Sequence, residues 1–287
     1  MLPKENPFTK DGKVLVSKVE ATSNLKESVK KAVQLIGGFE KTISLEDKVI
    51  VKPNFNSDDP FPASSDPEFV KATVYLLYEA GASKVTIIES SGLPWLPTKR
   101  VLEKMGMVKA AKECNAELKI LDEADWVDIE IKGKRWKKAS IAKDVLEKDA
   151  KLVWLPCMKT HKWARFSLSL KLAVGLLKFG QRRRLHMLHL EEKIADLNLA
   201  VHPDLIIMDG RKCFVTGGPA NGQMEEPNLI LASGDRIAID VEALKILKSY
   251  KAKNKLGKDV WEFSQIKHAV ELGLGVKNEN EMQVVKG

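Results

Sequence analysis

Cysteine is scarce and scattered, with Cys114, Cys157 and Cys213 the three in the chain. An odd number at such spacing encodes neither a disulfide framework nor a CxxC metal knuckle, and it leaves no quartet for an iron–sulfur cluster, so none is expected. Each is read as a small buried apolar side chain. Long apolar runs are missing too: no stretch approaches the roughly 18 residues that a membrane helix requires. The opening MLPKENPFTKDGK has no apolar core of a secretion signal. The expectation is a cytoplasmic protein with no membrane partner. Aromatic residues make up only 6% of the chain and no nucleic-acid recognition motif occurs, which argues against a nucleic-acid partner despite a net charge of +8.

What is present suits a folded α/β protein. A chain of 287 residues is long enough for one large domain or two smaller ones. We read a single α/β domain over 1–287; if a cleft divides it, the lobes are 1–149 and 150–287. The 47 basic and 39 acidic residues are dispersed, apart from basic clusters at 132–138, 182–184 and 245–258. A Lys/Glu-rich solvated surface is the simplest reading, and such thermophile-like composition is shared with heat-adapted proteins.

Strand and helix patterns alternate. Residues 13–19 read as a strand and 25–37 as a helix, with apolar positions at Leu25, Val29, Ala32, Val33 and Ile36. Residues 47–53 are a short apolar run halted by Pro53, as a buried parallel strand would be. Asp66 and Pro67 have the types that open a helix, and Gly81 closes it before a strand at 84–89. Helical segments at 98–105 and 108–115 precede a strand at 117–121. Segments 127–131 and 135–141 flank Lys132-Gly133-Lys134 as a surface hairpin. Residues 150–155 give a buried strand whose exit loop carries Lys159, Thr160 and His161. Residues 166–177 suit strand or helix, and the length and Gly175 incline the reading to helix. Helices follow at 188–199, 235–249 and 260–272, and strands at 204–208 and 228–232. This succession predicts a mostly parallel, Rossmann-like sheet flanked by helices.

In such sheets ligands bind beyond the carboxyl ends of the strands. Lys52 and Asn54 offer a cation and an amide to a carboxylate or phosphate there, although a rim lysine beside a turn asparagine is the plainer account of the pair alone. Glu89, on a strand's last residue, suits a ligand contact, a metal ligand or a base, with Ser90 beside it. Lys159 and His161, two apart, set a fixed charge beside a titrating group, as proton abstraction next to a carboxylate needs. Lys171 interrupts an apolar stretch and needs a partner there. Asp209 ends a predicted strand, and Asp240 falls on an apolar helix face, where carboxylates are rare.

His186, His189 and Glu192 fall at i, i+3 and i+6 of the predicted helix, a spacing that can serve a metal. Arg182–Arg184 just before them would repel a cation, so a solvated face is the simpler account. The glycine-rich stretch 216–222, which contains Gly218, can cradle an anion with backbone N–H groups, but it matches no nucleotide motif.

Several stretches carry a family resemblance in their order and spacing: Val51-Lys52-Pro53-Asn54, Ser65-Asp66-Pro67-Glu68-Phe69-Val70 with Gly81-Ala82, Pro156 with Lys159-Thr160-His161, Lys171 with Gly175, Ile194-Ala195-Asp196-Leu197, Asp209-Gly210, Gly218-Pro219, and Ser233-Gly234-Asp235 with Asp240. Together they resemble the family catalogued as domain of unknown function 362, over most of the chain. Many members carry an appended ferredoxin-like module with cysteine quartets for [4Fe–4S] clusters. This chain has no such quartet, so the resemblance implies no cluster here and leaves a separate ferredoxin open as a partner. The sequence departs from the family at Lys171-Leu172, where Lys-Asn is usual, and at Ser65-Asp66-Pro67, where Ser-His-Pro is usual. A more distant similarity, to nickel-pincer lactate racemases, implies cofactor and proton-transfer roles for Lys159, His161, Lys171 and His189.

The resulting expectation is an enzyme acting on a small anionic metabolite, a carboxylate or phosphate, in a cleft lined by lysine, histidine and acid. Lys159, His161, Lys171 and Asp209 are its candidate catalytic residues; Lys52, Asn54, Glu89, Ser90, Gly218 and Asp240 are its candidate ligand contacts. The alternative is a non-catalytic module that holds a cofactor or docks a ferredoxin through its basic surface.

Overall fold

The computed structural model describes residues 5–92 and 95–287. The chain opens with a short β1 (Thr9–Lys10) and β2 (Lys13–Glu20), then α1 (Leu25–Gln34), β3 (Lys48–Lys52), α2 (Pro67–Glu79), β4 (Lys84–Glu89), α3 (Thr98–Lys104), α4 (Met107–Glu113) and β5 (Glu117–Ile120). Asp66 caps α2 by accepting from the Glu68 N–H at 2.9 Å, with Pro67 in the first turn, where its missing N–H is harmless.

The second half runs through β6 (Trp126–Glu130), β7 (Lys138–Ala142), β8 (Ala150–Trp154), β9 (Cys157–His161), β10 (Arg165–Ser167), α5 (Ser169–Leu172), α6 (Phe179–Leu185), α7 (Leu190–Leu197), β11 (Leu205–Phe214), β12 (Met224–Glu225), β13 (Leu229–Ser233), α8 (Arg236–Ser249), α9 (Ser264–Glu271) and β14 (Met282–Lys286).

One continuous sheet has the order β1-β2-β13-β11-β8-β3-β4-β5. From β11 through β8, β3 and β4 to β5 every pairing is parallel. On the other side β13 is antiparallel to both β11 and β2, and β14 adds a parallel partner to β2. Strand alternation divides the core into two layers. Val49, Val51, Val153, Ile207 and Ile230 pack with α1, α2 and α4 on one face, while Ile50, Leu152, Trp154, Met208 and Leu231 pack with α5, α7, α8 and α9 on the other.

The structure departs from the sequence reading in particular places. Residues 157–161 are a strand, because β11 runs on past Asp209 and offers its edge to β9, while β10 folds back on the other side. Asp209 and Gly210 therefore lie inside β11 instead of at its end. Residues 166–177 divide into the end of β10, the single turn α5 and a 3₁₀ turn. The predicted helix 260–272 is likewise a 3₁₀ turn followed by α9, and α6 and β14 carry no strong sequence signal. The expected hairpin exists as β6–β7, but its connection is docked: Asp196 of α7 accepts from the backbone N–H groups of Lys134, Arg135 and Trp136.

Candidate functional site

The carboxyl ends of β3, β4 and β8 converge, and each delivers its polar residue because the apolar run stops there. Lys52 closes β3, Glu89 closes β4, and the chain leaving β8 becomes β9. Odd positions of β9 share one face, so Lys159 and His161 project together, and Ser167 of β10 stands opposite Lys159. These residues, with Lys171 of α5 and His186 beyond α6, line a cavity of about 820 Å³.

Lys52 and Glu89 are each 1% exposed and form an ion pair at 2.6 Å. Lys52 also donates to the Pro53 carbonyl, while Glu89 accepts from the Phe55 and Ser90 N–H groups. Burial pushes the Lys52 ammonium below its usual range, against the pull of Glu89. Arg182 lies over this pair and donates to the carbonyls of Leu177, Ser90, Ser91 and Gly175. Its pKa falls to about 10, chiefly through burial. The pair and the arginine tie β3, β4 and α6 into a wall whose donors and acceptors are already engaged.

Two further lysines are less committed. Lys159 donates to the Ala63 carbonyl and has no carboxylate partner among the described residues, and burial lowers its pKa. Lys171 makes no hydrogen bond or ion pair among the described residues. Burial first, then the positive charges of Lys159 and Arg182, bring it down to about 7.

The two histidines have opposite polarity. His161 Nδ1 accepts from the N–H groups of Trp163 (3.2 Å) and Ala164 (3.0 Å), so the neutral ring carries its proton on Nε2. Burial, then Lys171 and His186, push its pKa far down, so the ring stays neutral. His186 Nδ1 faces the Arg182 carbonyl at 2.8 Å and must donate, which leaves Nε2 as an acceptor. Burial and Lys171 lower its pKa as well. One ring thus offers a donor, and the other a lone pair.

The mouth is aromatic and basic. Trp163, 64% exposed, is touched edge-on by His161 and His186, with Lys162 Nζ 4.3 Å from its ring centre. Trp95, Phe179 and Arg183 complete the rim. Arg182, Trp163 and the acceptor role of His186 escaped the sequence reading. An arginine cluster and a lone tryptophan have no distinguishing spacing, so only the fold makes them neighbours.

Among the expected site residues, Lys52, Asn54, Glu89, Ser90, Lys159, His161 and Lys171 meet at this cavity. Others do not. Asp209 is turned to Arg211, which bridges it to Asp66. Asp240 accepts from the Ser169 and Leu170 N–H groups at 2.8 and 3.0 Å, so it holds α5 in place from behind. Gly218 has φ +66 and presses on β9, where a Cβ would collide with the Thr160 carbonyl. Its N–H serves Asn221, so it is a docking turn whose neighbours Pro219 and Ala220 reach the cavity.

His186 ends α6, whereas His189 precedes α7 with φ 63 and faces Glu192 at 3.6 Å. The single helix expected across them is broken at 186–189. Among the described residues no cluster of three or more His, Cys, Asp or Glu side chains is placed to hold a metal ion. Cys157, behind the wall, is pushed by burial up to about 11 and is an inert thiol.

A family model described as a domain of unknown function (DUF362) matches residues 49–245. The chain belongs to the DUF362 family. Every residue of the cavity wall falls inside that match, whereas β2, α9 and β14 fall outside it. Leu172, where the family resemblance implies asparagine, presents an apolar side chain to the cavity. The thylakoid-associated protein sll1697 of Synechocystis sp. is 24% identical over 256 residues, covering 84% of this chain and 75% of that protein. A crystal structure of a Thermotoga maritima protein aligns with a TM-score of 0.44 and 12% identity, over 65% of this chain and 50% of its own. Among the described residues no helix is long and apolar enough to cross a membrane.

Proposed function

We propose that this DUF362 protein is an enzyme that binds a small anionic metabolite, carboxylate or phosphate, and moves a proton on it. The carrying observation is an imbalance inside one cavity: Lys52, Lys159, Lys162, Lys171, Arg182 and Arg183 face it against the carboxylates Asp59 and Glu89. Lys159 and Lys171 have no carboxylate partner among the described residues, so an entering anion supplies the missing counter-charge. The His161 Nε2–H is a donor for a developing oxyanion, and the His186 Nε2 lone pair is the base. Apolar wall residues such as Leu172 and Val174 lower the local dielectric and strengthen both interactions.

Because burial depresses Lys159, anion binding should draw a proton onto it. Calorimetry of pyruvate, lactate and inorganic phosphate, in buffers of different ionisation heat, is the test. Binding with proton uptake that is lost in the Lys159→Ala/His161→Ala variant supports the reading, and unchanged binding in that variant overturns it. Solvent deuterium exchange into the bound acid separates the enzyme from its alternative: a bound anion that never exchanges transfers weight to a non-catalytic cofactor or ferredoxin-partner module.

A further inference from the structure

We infer that Lys171 is a nucleophilic amine and that the anion bears a carbonyl group, an aldehyde or 2-oxo acid, which the enzyme captures as an imine. This rests on the anion-binding reading above and narrows its substrate class.

The geometry separates Lys171 from its neighbours. Lys52 is held by Glu89 and the Pro53 carbonyl, and Lys159 by the Ala63 carbonyl. Lys171 alone of these three has an amine without a partner among the described residues, yet its backbone is fixed on several sides. Asp240 holds the first N–H groups of α5, Ser169 Oγ donates to the Arg236 carbonyl, and Asn198 Nδ2 donates to the Leu170 carbonyl. A rigid base with a free tip is how a reacting group is positioned.

The surrounding charges fit the same role. Lys159 and Arg182 act on the amine and His161 and His186 are near enough to feel it. Burial first, and then these two cations, let the amine release its proton close to neutrality.

Imine formation also needs both histidine polarities. The Nζ lone pair forms the C–N bond as the C=O π pair moves to oxygen, which the His161 Nε2–H holds by a hydrogen bond. His186 Nε2 takes a proton from the nitrogen and returns it to that oxygen. The hydroxyl then leaves with the remaining nitrogen proton as water and C=N forms. Amine and carbonyl give imine and water, with no oxidant or metal in the balance.

The test uses the full-length chain with pyruvate and sodium borohydride, followed by peptide mass mapping. The expected result is a reduced adduct at Lys171, slowed by excess lactate, which has the same charge but no carbonyl. Its rate should rise about tenfold per pH unit from pH 5 and level off above the amine's pKa of about 7. Lys171→Arg should remove the adduct. If pyruvate binds by calorimetry but no adduct forms, or the adduct persists in Lys171→Arg, the imine is wrong and the anion site stands. If pyruvate, lactate and phosphate all fail to bind and no adduct forms, both readings fall.

Discussion

Two groups of buried charges are built in opposite ways. Around α7, α8 and α9 every carboxylate oxygen of Asp196, Asp235 and Asp240 accepts at least one hydrogen bond. Arg236 there donates to Asn198 and the Val201 carbonyl, with a further contact to His202 Nδ1. At the carboxyl ends of β3, β4 and β8, the buried His161 and the half-buried Lys171 and His186 keep an uncommitted amine, N–H or lone pair. Burial of charge therefore does not mark a site by itself; an unfilled valence facing a cavity does.

The largest effect should come from the filled group. Asp196→Ala leaves three backbone N–H groups and His268 Nε2 without their acceptor. Two of these donors, the Trp136 N–H and His268 Nε2, are buried, and each unsatisfied buried donor costs about 1–3 kcal/mol, so the loss should reach about 2–6 kcal/mol in urea unfolding. Anion affinity of the folded fraction should be unchanged. A weakened affinity would break the division between the two groups.

Lys52→Met tests a cavity residue that belongs, by its contacts, with the filled group. It strips Glu89 of its paired ammonium and leaves it Arg182 as a nearby cation that makes no ion pair with it, which costs about 3 kcal/mol. Replacing Glu89 by Gln in the same chain should recover most of that loss, since a neutral amide is cheaper to bury. Thermal unfolding of the two single variants and the double variant measures the coupling.

Much of this frame was readable before the fold was known. Residues 84–89, the Asp66 cap and the end of β3 at Pro53 follow from local chemistry, and they put Lys52 and Glu89 at strand ends. The β9 strand was not readable, since its pairing partners lie at 165–167 and 209–214 and nothing in Cys157-Met158-Lys159-Thr160-His161 announces them. Asp240 was rightly unusual on an apolar face, but its hydrogen bonds run to a turn some 70 positions earlier in the chain. The His186/His189/Glu192 spacing failed because the helix it assumed is broken between them.

Lys171→Met should sharpen the contrast by stabilising the protein while impairing binding. The folded pKa of Lys171 is lowered from 10.5 to about 7, so below pH 7 the charged amine is a burden on the native state. Between about 7 and 10.5 only the unfolded chain keeps the proton, and the burden fades as pH rises. The variant should therefore gain stability on the order of 1 kcal/mol at pH 6, after allowance for solvent at the cavity wall, and less at pH 9. A gain that grows with pH would contradict the assignment.

The smallest effect is expected at the rim. Lys162 is exposed and its ammonium rests over the Trp163 ring, so it is screened by solvent and contributes little to folding. Lys162→Ala should change stability by less than about 0.5 kcal/mol. As a charge at the mouth it acts on approach more than on the bound state, so stopped-flow association of pyruvate should slow and lose part of its salt dependence, while dissociation is unaltered. If dissociation accelerates instead, Lys162 grips the ligand directly, and the uncommitted charge of the site extends outward to its aromatic rim.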